Sequence, residues 1–201
     1  MPEELTRKQL EELYLPPAGE FVEVDVPDLP FFMLDGEGAE DRAPLERAVR
    51  WLFTAIHPLK QEARERMGKR FVEPPLEGLW WADDLSVFTS GARDGWLWTM
   101  MIMQPEYVTE ELVQAATEEV RRRKNLPALP RVRFEAFREG EAAQILHVGP
   151  FTDEGPTIGG LHAFIDESGR KLGGKHHEIY LSDIRRAAPE RWKTIIRQPI
   201  A

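Results

Sequence analysis

Apolar residues along this chain recur with two spacings, about 3.6 residues in some stretches and 2 in others, and each change of spacing marks an element boundary. The clearest helix follows Pro44, where Leu45, Ala48, Val49, Leu52, Phe53 and Ile56 recur at i, i+3, i+4, i+7, i+8 and i+11. His57-Pro58 predicts a kink or restart, with a second, more charged helix running to Met67 before Gly68. At the N-terminus a short helix carries Leu10, Leu13 and Tyr14 on one face and stops at Pro16-Pro17. A further helix is expected from Thr109, its candidate cap, to about Asn125, ahead of a proline-marked linker over 126–130. The period of two appears in three places before that linker. Phe21 to Leu34 predicts one bent or interrupted strand, with Val22, Val24 and Val26 alternating and Pro27 and Pro30 as punctuation, followed by a polar loop over 35–43. Glu77–Trp81 and Trp96–Met103 predict two more strands, with the turn residues of 90–95 between them.

The pattern then begins again. Met33-Leu34 followed by a loop and Pro44 matches Ile145-Leu146 followed by a loop and Pro156, both at an offset of 112 residues, and the helix stripe aligns, with Val49 on Leu161 and Leu52 on Phe164. Leu79–Asp83 matches Ile179–Asp183 at an offset of 100, and a W-x5-Q-P ending occurs at both Trp98 and Trp192. Three matches in one order predict an α+β fold made by tandem duplication of a β-α-β-β module, with antiparallel sheets enclosing a central ligand pocket. Residues 1–201 are read as one domain, with pseudo-symmetric halves at about 20–107 and 131–201 joined by the helix at about 109–125.

Composition narrows the function. There is no cysteine, so neither disulfides nor thiolate chemistry is available, and a reducing, cytoplasmic compartment is expected. No apolar run approaches a membrane span and no signal-peptide core is visible. With 26 Lys and Arg against 35 Asp and Glu, the formal charge of −9 disfavours a phosphate backbone as partner. The basic run Arg121–Lys124 follows Glu118 and Glu119 in the order that complements a helix dipole, which makes it a solvated helix end. No nucleic-acid module, nucleotide-binding glycine fingerprint or cofactor motif is present, and no histidine pair has metal-ligand spacing.

Strand alternation selects the candidate site. Ile179 and Leu181 are expected beneath the second helix, and Leu79 and Trp81 beneath the first, so Glu178, Tyr180 and Trp80 face the other way, into a cleft between the halves. Gly78, at the place of Glu178 in the other half, leaves room there. Trp80, Trp98, Trp96 and Tyr107 are the aromatic candidates for the walls, and Trp51 and Trp81 are assigned to the core. A carboxylate among aromatic rings either holds an organic cation or acts as a general base on water, and pairing of Glu178 with a neighbouring Arg or Lys is the bland alternative. His147 is read first as a structural hydrogen-bonding group at the Gly149-Pro150 turn and second as a proton shuttle.

These residues resemble a known family. FMLDGEG from Phe32, MIMQP ending at Pro105, ILHVGPF from Ile145, EIYLSD from Glu178 and the terminal WKTIIRQP are similar to the stand-alone GyrI-like (gyrase-inhibitor-like) small-molecule-binding proteins, over about Leu5 to the C-terminus. The resemblance implies two β-α-β-β modules around a central pocket, related to effector domains of multidrug-responsive transcription regulators, in which a glutamate at the place of Glu178 helps recognise cationic aromatic drugs. It also implies hydrolysis as a candidate activity, since some stand-alone members are hydrolases of cyclopropane-bearing, DNA-alkylating compounds; Glu178 and Tyr180 are then the catalytic candidates. The expected partner is a small molecule, with a protein-interaction role such as modulation of a topoisomerase as the alternative.

Overall fold

The computed structural model describes residues 5–38, 42–68, 74–82, 96–124 and 132–201; the expected turn at 90–95 and linker at 126–130 lie outside them. In chain order the elements are α1 (Arg7–Tyr14), β1 (Val22–Glu37), α2 (Arg42–Met67), β2 (Leu76–Trp81), β3 (Leu97–Met103), α3 (Glu110–Lys124), β4 (Val132–Val148), α4 (Gly155–Glu167), β5 (His176–Tyr180) and β6 (Lys193–Pro199). Strand, helix, strand, strand thus occurs twice. Among the described residues these six strands pair antiparallel throughout, and the sheet closes on itself in the order β1-β3-β2-β5-β6-β4, an order that reads the same when the two halves are exchanged. Among the described residues no helix is long and apolar enough to cross a membrane.

Two boundaries differ from expectation. β1 continues through Asp35 and Gly36 to Glu37, because those residues pair with Thr99, Trp98 and Leu97 on β3. Gly36 is required there: a Cβ would lie 2.0 Å from the Trp98 ring, whose Nε1 donates to the Gly38 carbonyl at 3.0 Å. α2 is a single helix with Pro58 inside it rather than two; the burial of Ala55, Ile56 and Leu59 on one continuous face holds it together across the missing N–H. Thr109 caps α3 as expected, its Oγ1 accepting from the Leu112 amide at 3.3 Å.

The closed sheet has two buried faces. On the outer face, Phe32, Leu34, Trp80, Trp98, Met100 and Ile102 pack under α2 and α3, while Ala143, Ile145 and Ile196 pack under α4. The inner face carries Phe31, Met33, Leu79 and Met101, joined by Leu13 of α1, which enters the barrel from one end. Val26 and Leu29, of opposite parity, belong to this same cluster, so β1 changes face near Pro27; opposite, Gly140 of β4 pairs with Val26 at φ 76. The face assignment drawn from alternation is therefore inverted. Leu79 and the fully buried Ile179 point into the barrel, and Trp80, Glu178 and Tyr180 stand on the side that bears the helices.

The barrel interior also holds charge. Side chains of Glu77, His177, Glu139 and Arg197 are no more than 1% exposed. His177 lies between two carboxylates, with Nδ1 3.0 Å from Glu139 and Nε2 3.0 Å from Glu77. The Arg197 guanidinium donates to Glu139 at 3.1 Å, to Gln144 at 2.8 Å and to the Leu13 carbonyl at 2.6 Å. Burial alone would neutralise Glu139 and His177, yet His177 and Arg197 hold Glu139 down to about 2, and Glu139 foremost holds His177 up to about 9. The Glu139 carboxylate thus lies between the His177 imidazolium and the Arg197 guanidinium, with the Glu77 carboxyl on the other side of His177.

Candidate functional site

Where β2 and β5 meet, the two halves of the chain join, and the register sets Gly78 directly opposite Glu178, Leu76 opposite Tyr180 and Trp80 opposite His176. Residues paired across antiparallel strands share a face, so these six surround one patch at the centre of the outer surface. The Trp80 indole Nε1 donates to the Tyr180 hydroxyl at 3.2 Å, and that hydroxyl donates to Glu178 Oε2 at 2.7 Å. His176 Nε2 stands 3.4 Å from the other oxygen, Oε1. Gly78 makes this convergence possible, since a Cβ there would come within 3.0 Å of both Trp80 Nε1 and Tyr180 Oη. The Glu178 side chain is 14% exposed, shielded but open on one side. Burial and the adjacent Glu178 charge push the Tyr180 hydroxyl well above its ordinary value, so it serves as a donor.

The aromatic candidates divide. Trp96 packs edge-on against Trp80 with centroids 5.8 Å apart, and so joins the patch through it. Trp98 is 2% exposed within the α2 cluster and forms a wall behind Trp80, while Tyr107 packs against the same α2–α3 cluster. Trp51 is core, 6.1 Å from Phe32, and Trp81 is half-buried beneath the Lys175 ammonium. His147 shares the strand row of Thr194 and Tyr180, but its Nδ1 is engaged with Thr157 Oγ1 at 2.9 Å, tying β4 to α4.

Three contributors escape the sequence reading. Phe151, in the turn before α4, packs on Tyr180 with centroids 5.7 Å apart and is backed by Trp192 at 4.9 Å. His176, which has no metal-ligand spacing in the sequence, stands beside the Glu178 carboxyl instead. The third is Glu154, which precedes α4. An acid at that position ordinarily complements the helix dipole, but this side chain is buried, and among the described residues it caps nothing and its Oε1 has no hydrogen-bond partner. Burial and the neighbouring Glu178 charge push it up to about 9, a rise that contact with the Thr194 hydroxyl offsets only in part. Burial and the Glu178 charge thus favour the acid form of Glu154 in this site. Among the described residues no group of three His, Asp or Glu side chains is arranged to hold a metal ion.

Keeping Glu154 protonated costs stability. Its folded value, about 9, lies above the unfolded 4.5, so unfolding releases a proton and stability falls as pH rises between these two values. Glu154→Gln removes that cost. The variant is expected to be more stable than the wild type by about 1–3 kcal/mol at pH 8, with no difference below pH 4.5, as read from urea unfolding at several pH values. Equal stability at pH 8 would mean that Glu154 is ionised and solvated.

A family model described as a GyrI-like small molecule binding domain matches residues 19–201. The crystal structure of an uncharacterized conserved protein from Listeria innocua is similar, with 38% identity over 97% of this chain and 98% of that one, and a TM-score of 0.86. A second crystal structure, of a hydrolase from Listeria innocua, has 37% identity over 96% of this chain and 98% of that one, with a TM-score of 0.81. The C-terminal domain of EcmrR shares the fold at 12% identity and a TM-score of 0.55, over 90% of this chain and 97% of that one. No curated protein matches at a significant level.

Proposed function

This chain belongs to the GyrI-like small-molecule-binding family, and from that premise we propose that it binds a flat, hydrophobic or cationic aromatic molecule over the β2–β5 seam. The observation that carries this reading is the convergence of Trp80, Tyr180 and Glu178 on one shielded patch, with a carboxylate 14% exposed and an indole 8% exposed beside it. Trp80 and Trp96 on one side and Phe151 on the other offer ring faces and edges, and Glu178 offers the charge. A cation–π contact contributes about 0.5–2 kcal/mol and the ion pair adds to it in a site where water is scarce. The His176 and Tyr180 contacts fix the carboxylate, so little rotamer entropy is lost on binding.

A second reading is hydrolysis of an electrophilic ring such as a cyclopropane, and the Glu154–Glu178 pair favours it. Glu178 accepts a proton from water as the water oxygen attacks a ring carbon. The ring C–C bond breaks, and its electron pair passes into the conjugated system, which takes its proton from Glu154. Tyr180 orients Glu178. One of the similar Listeria innocua structures is of a hydrolase, which supports the chemistry without naming the substrate.

Titration with a rhodamine dye, followed by tryptophan fluorescence, tests the binding reading. Quenching is expected, and Trp80→Ala should weaken binding about 3- to 10-fold. No saturable quenching with any member of a panel of cationic and neutral aromatic dyes would remove the reading. For hydrolysis, mass spectrometry of a cyclopropane-bearing alkylator incubated with the protein should show a product one water heavier, formed more slowly by Glu154→Gln. An unchanged rate in that variant would remove Glu154 as the acid.

A further inference from the structure

α1 lies outside the residues matched by the family model, which begin at 19, yet it is bonded into the charged barrel interior. The Tyr14 hydroxyl donates to Glu77 Oε1 at 2.9 Å. The carbonyls of Leu13 and Glu12, left open at the helix end, accept from Arg197 at 2.6 Å and from Gln144 at 2.8 Å. Glu77 in turn lies 3.0 Å from His177, across the β2–β5 seam. These two residues are the chain neighbours of Gly78 and Glu178, which pair on the opposite face. Successive strand residues point to opposite faces on one rigid backbone. The inner ion pair therefore clamps, from beneath, the same stretch of seam that presents the outer patch.

We propose that α1 is a positioning element for the ligand site: its Tyr14 hydroxyl, through Glu77 and His177, sets the alignment of β2 and β5 and with it the Trp80–Tyr180–Glu178 chain. Neither α1 nor the interior charges touch the ligand. Tyr14 acts chiefly through Glu77, which it orients toward His177; its hydroxyl also touches Met103 Sδ of β3 at 3.6 Å, a weaker contact on the strand next to β2. Glu77 has two demands on it, the hydroxyl and the imidazolium, and losing one lets its carboxylate rotate toward the other. The strand pair then shifts by the play in that contact, and the 3.2 Å bond from Trp80 to Tyr180, which spans the two strands, is where the shift is felt. The roles of the outer residues rest on the function proposed above, but the mechanical coupling does not.

The experiment uses the full chain carrying Tyr14→Phe, which removes the hydroxyl and keeps the ring. Two readouts are taken: the chemical shift of the Trp80 indole N–H, and the dissociation constant of a rhodamine dye. Coupling predicts that the indole resonance moves and that the dye binds about 2- to 10-fold more weakly. Glu77→Gln, which keeps the acceptor and removes the charge, should move the same resonance. Val113→Ala, a core truncation on α3, serves as the measure of general softening. An indole resonance unmoved in both network variants, or moved equally by Val113→Ala, overturns the proposal. If the wild type fails to bind the dye while the resonance still responds to Tyr14→Phe, the coupling stands and the binding function falls.

Discussion

Glu178→Gln is expected to weaken binding of a cationic aromatic dye by about 10- to 100-fold, because a charge-assisted contact in a shielded site contributes about 1.5–3 kcal/mol. The loss should be selective for charge. A neutral dye of similar shape keeps its aromatic contacts with Trp80, Trp96 and Phe151 and should lose threefold or less, on the order of a rim interaction. Unfolding does not account for the difference, since the substitution also removes the Glu178 charge that raises Glu154, and the variant should be at least as stable as the wild type. The ratio of the two dissociation constants, cationic over neutral, is the quantity to compare. Equal losses for both dyes would show that Glu178 acts through shape alone.

Arg197→Met should have the largest effect on stability, about 3–5 kcal/mol, because it breaks a buried charge pair and leaves its partners behind. Glu139 would keep only His177, and both Gln144 Oε1 and the Leu13 carbonyl would lose their donor in the barrel interior. Methionine fills much of the same space, so the loss reports charge and hydrogen bonds more than cavity. The wild type carries a pH signature of the same network. His177, raised to about 9, contributes stability that is complete below its unfolded value of 6.5 and is lost as pH rises through 9. Glu139, lowered to about 2, contributes stability that is complete above 4.5 and is lost as pH falls through 2. The network is thus at full strength between about pH 4.5 and 6.5. Urea unfolding of both proteins from about pH 2 to pH 9 measures each part, and a variant within 1 kcal/mol of the wild type at about pH 5.5 would show the guanidinium to be dispensable.

The elements were legible because each has its own apolar spacing. The stripe from Leu45 to Ile56 marked α2, and the recurrence of that pattern at Leu161 marked α4. Alternation also grouped Trp80, Tyr180 and Glu178 correctly on a common face. It could not say which face the helices cover. In a closed sheet both faces are buried, so Leu79 inside and Trp80 outside are equally apolar, and the inversion follows. The charged interior was hidden for a different reason. Glu77, Glu139, His177 and Arg197 sit on four different strands, and each looks locally like an ordinary surface charge among apolar neighbours. Only the register that sets Glu77 diagonally across from His177 makes them partners. Glu154 was hidden by its position, since acids before helices are common and burial is not readable from spacing. Gly78 was readable in part: its place opposite Glu178 in the repeat predicted room for a ligand or for the acid, whereas Met100, Trp80 and Tyr180 fill the space beside it.

The most direct test of the site is a crystal structure of the protein with a bound rhodamine dye. Its ring system should lie over the β2–β5 seam, in contact with Trp80 and Phe151, with its cationic nitrogen nearer to Glu178 than to any other carboxylate. A dye seated instead within the barrel beside His177, or in the surface groove between His162 and Leu172, would contradict the account.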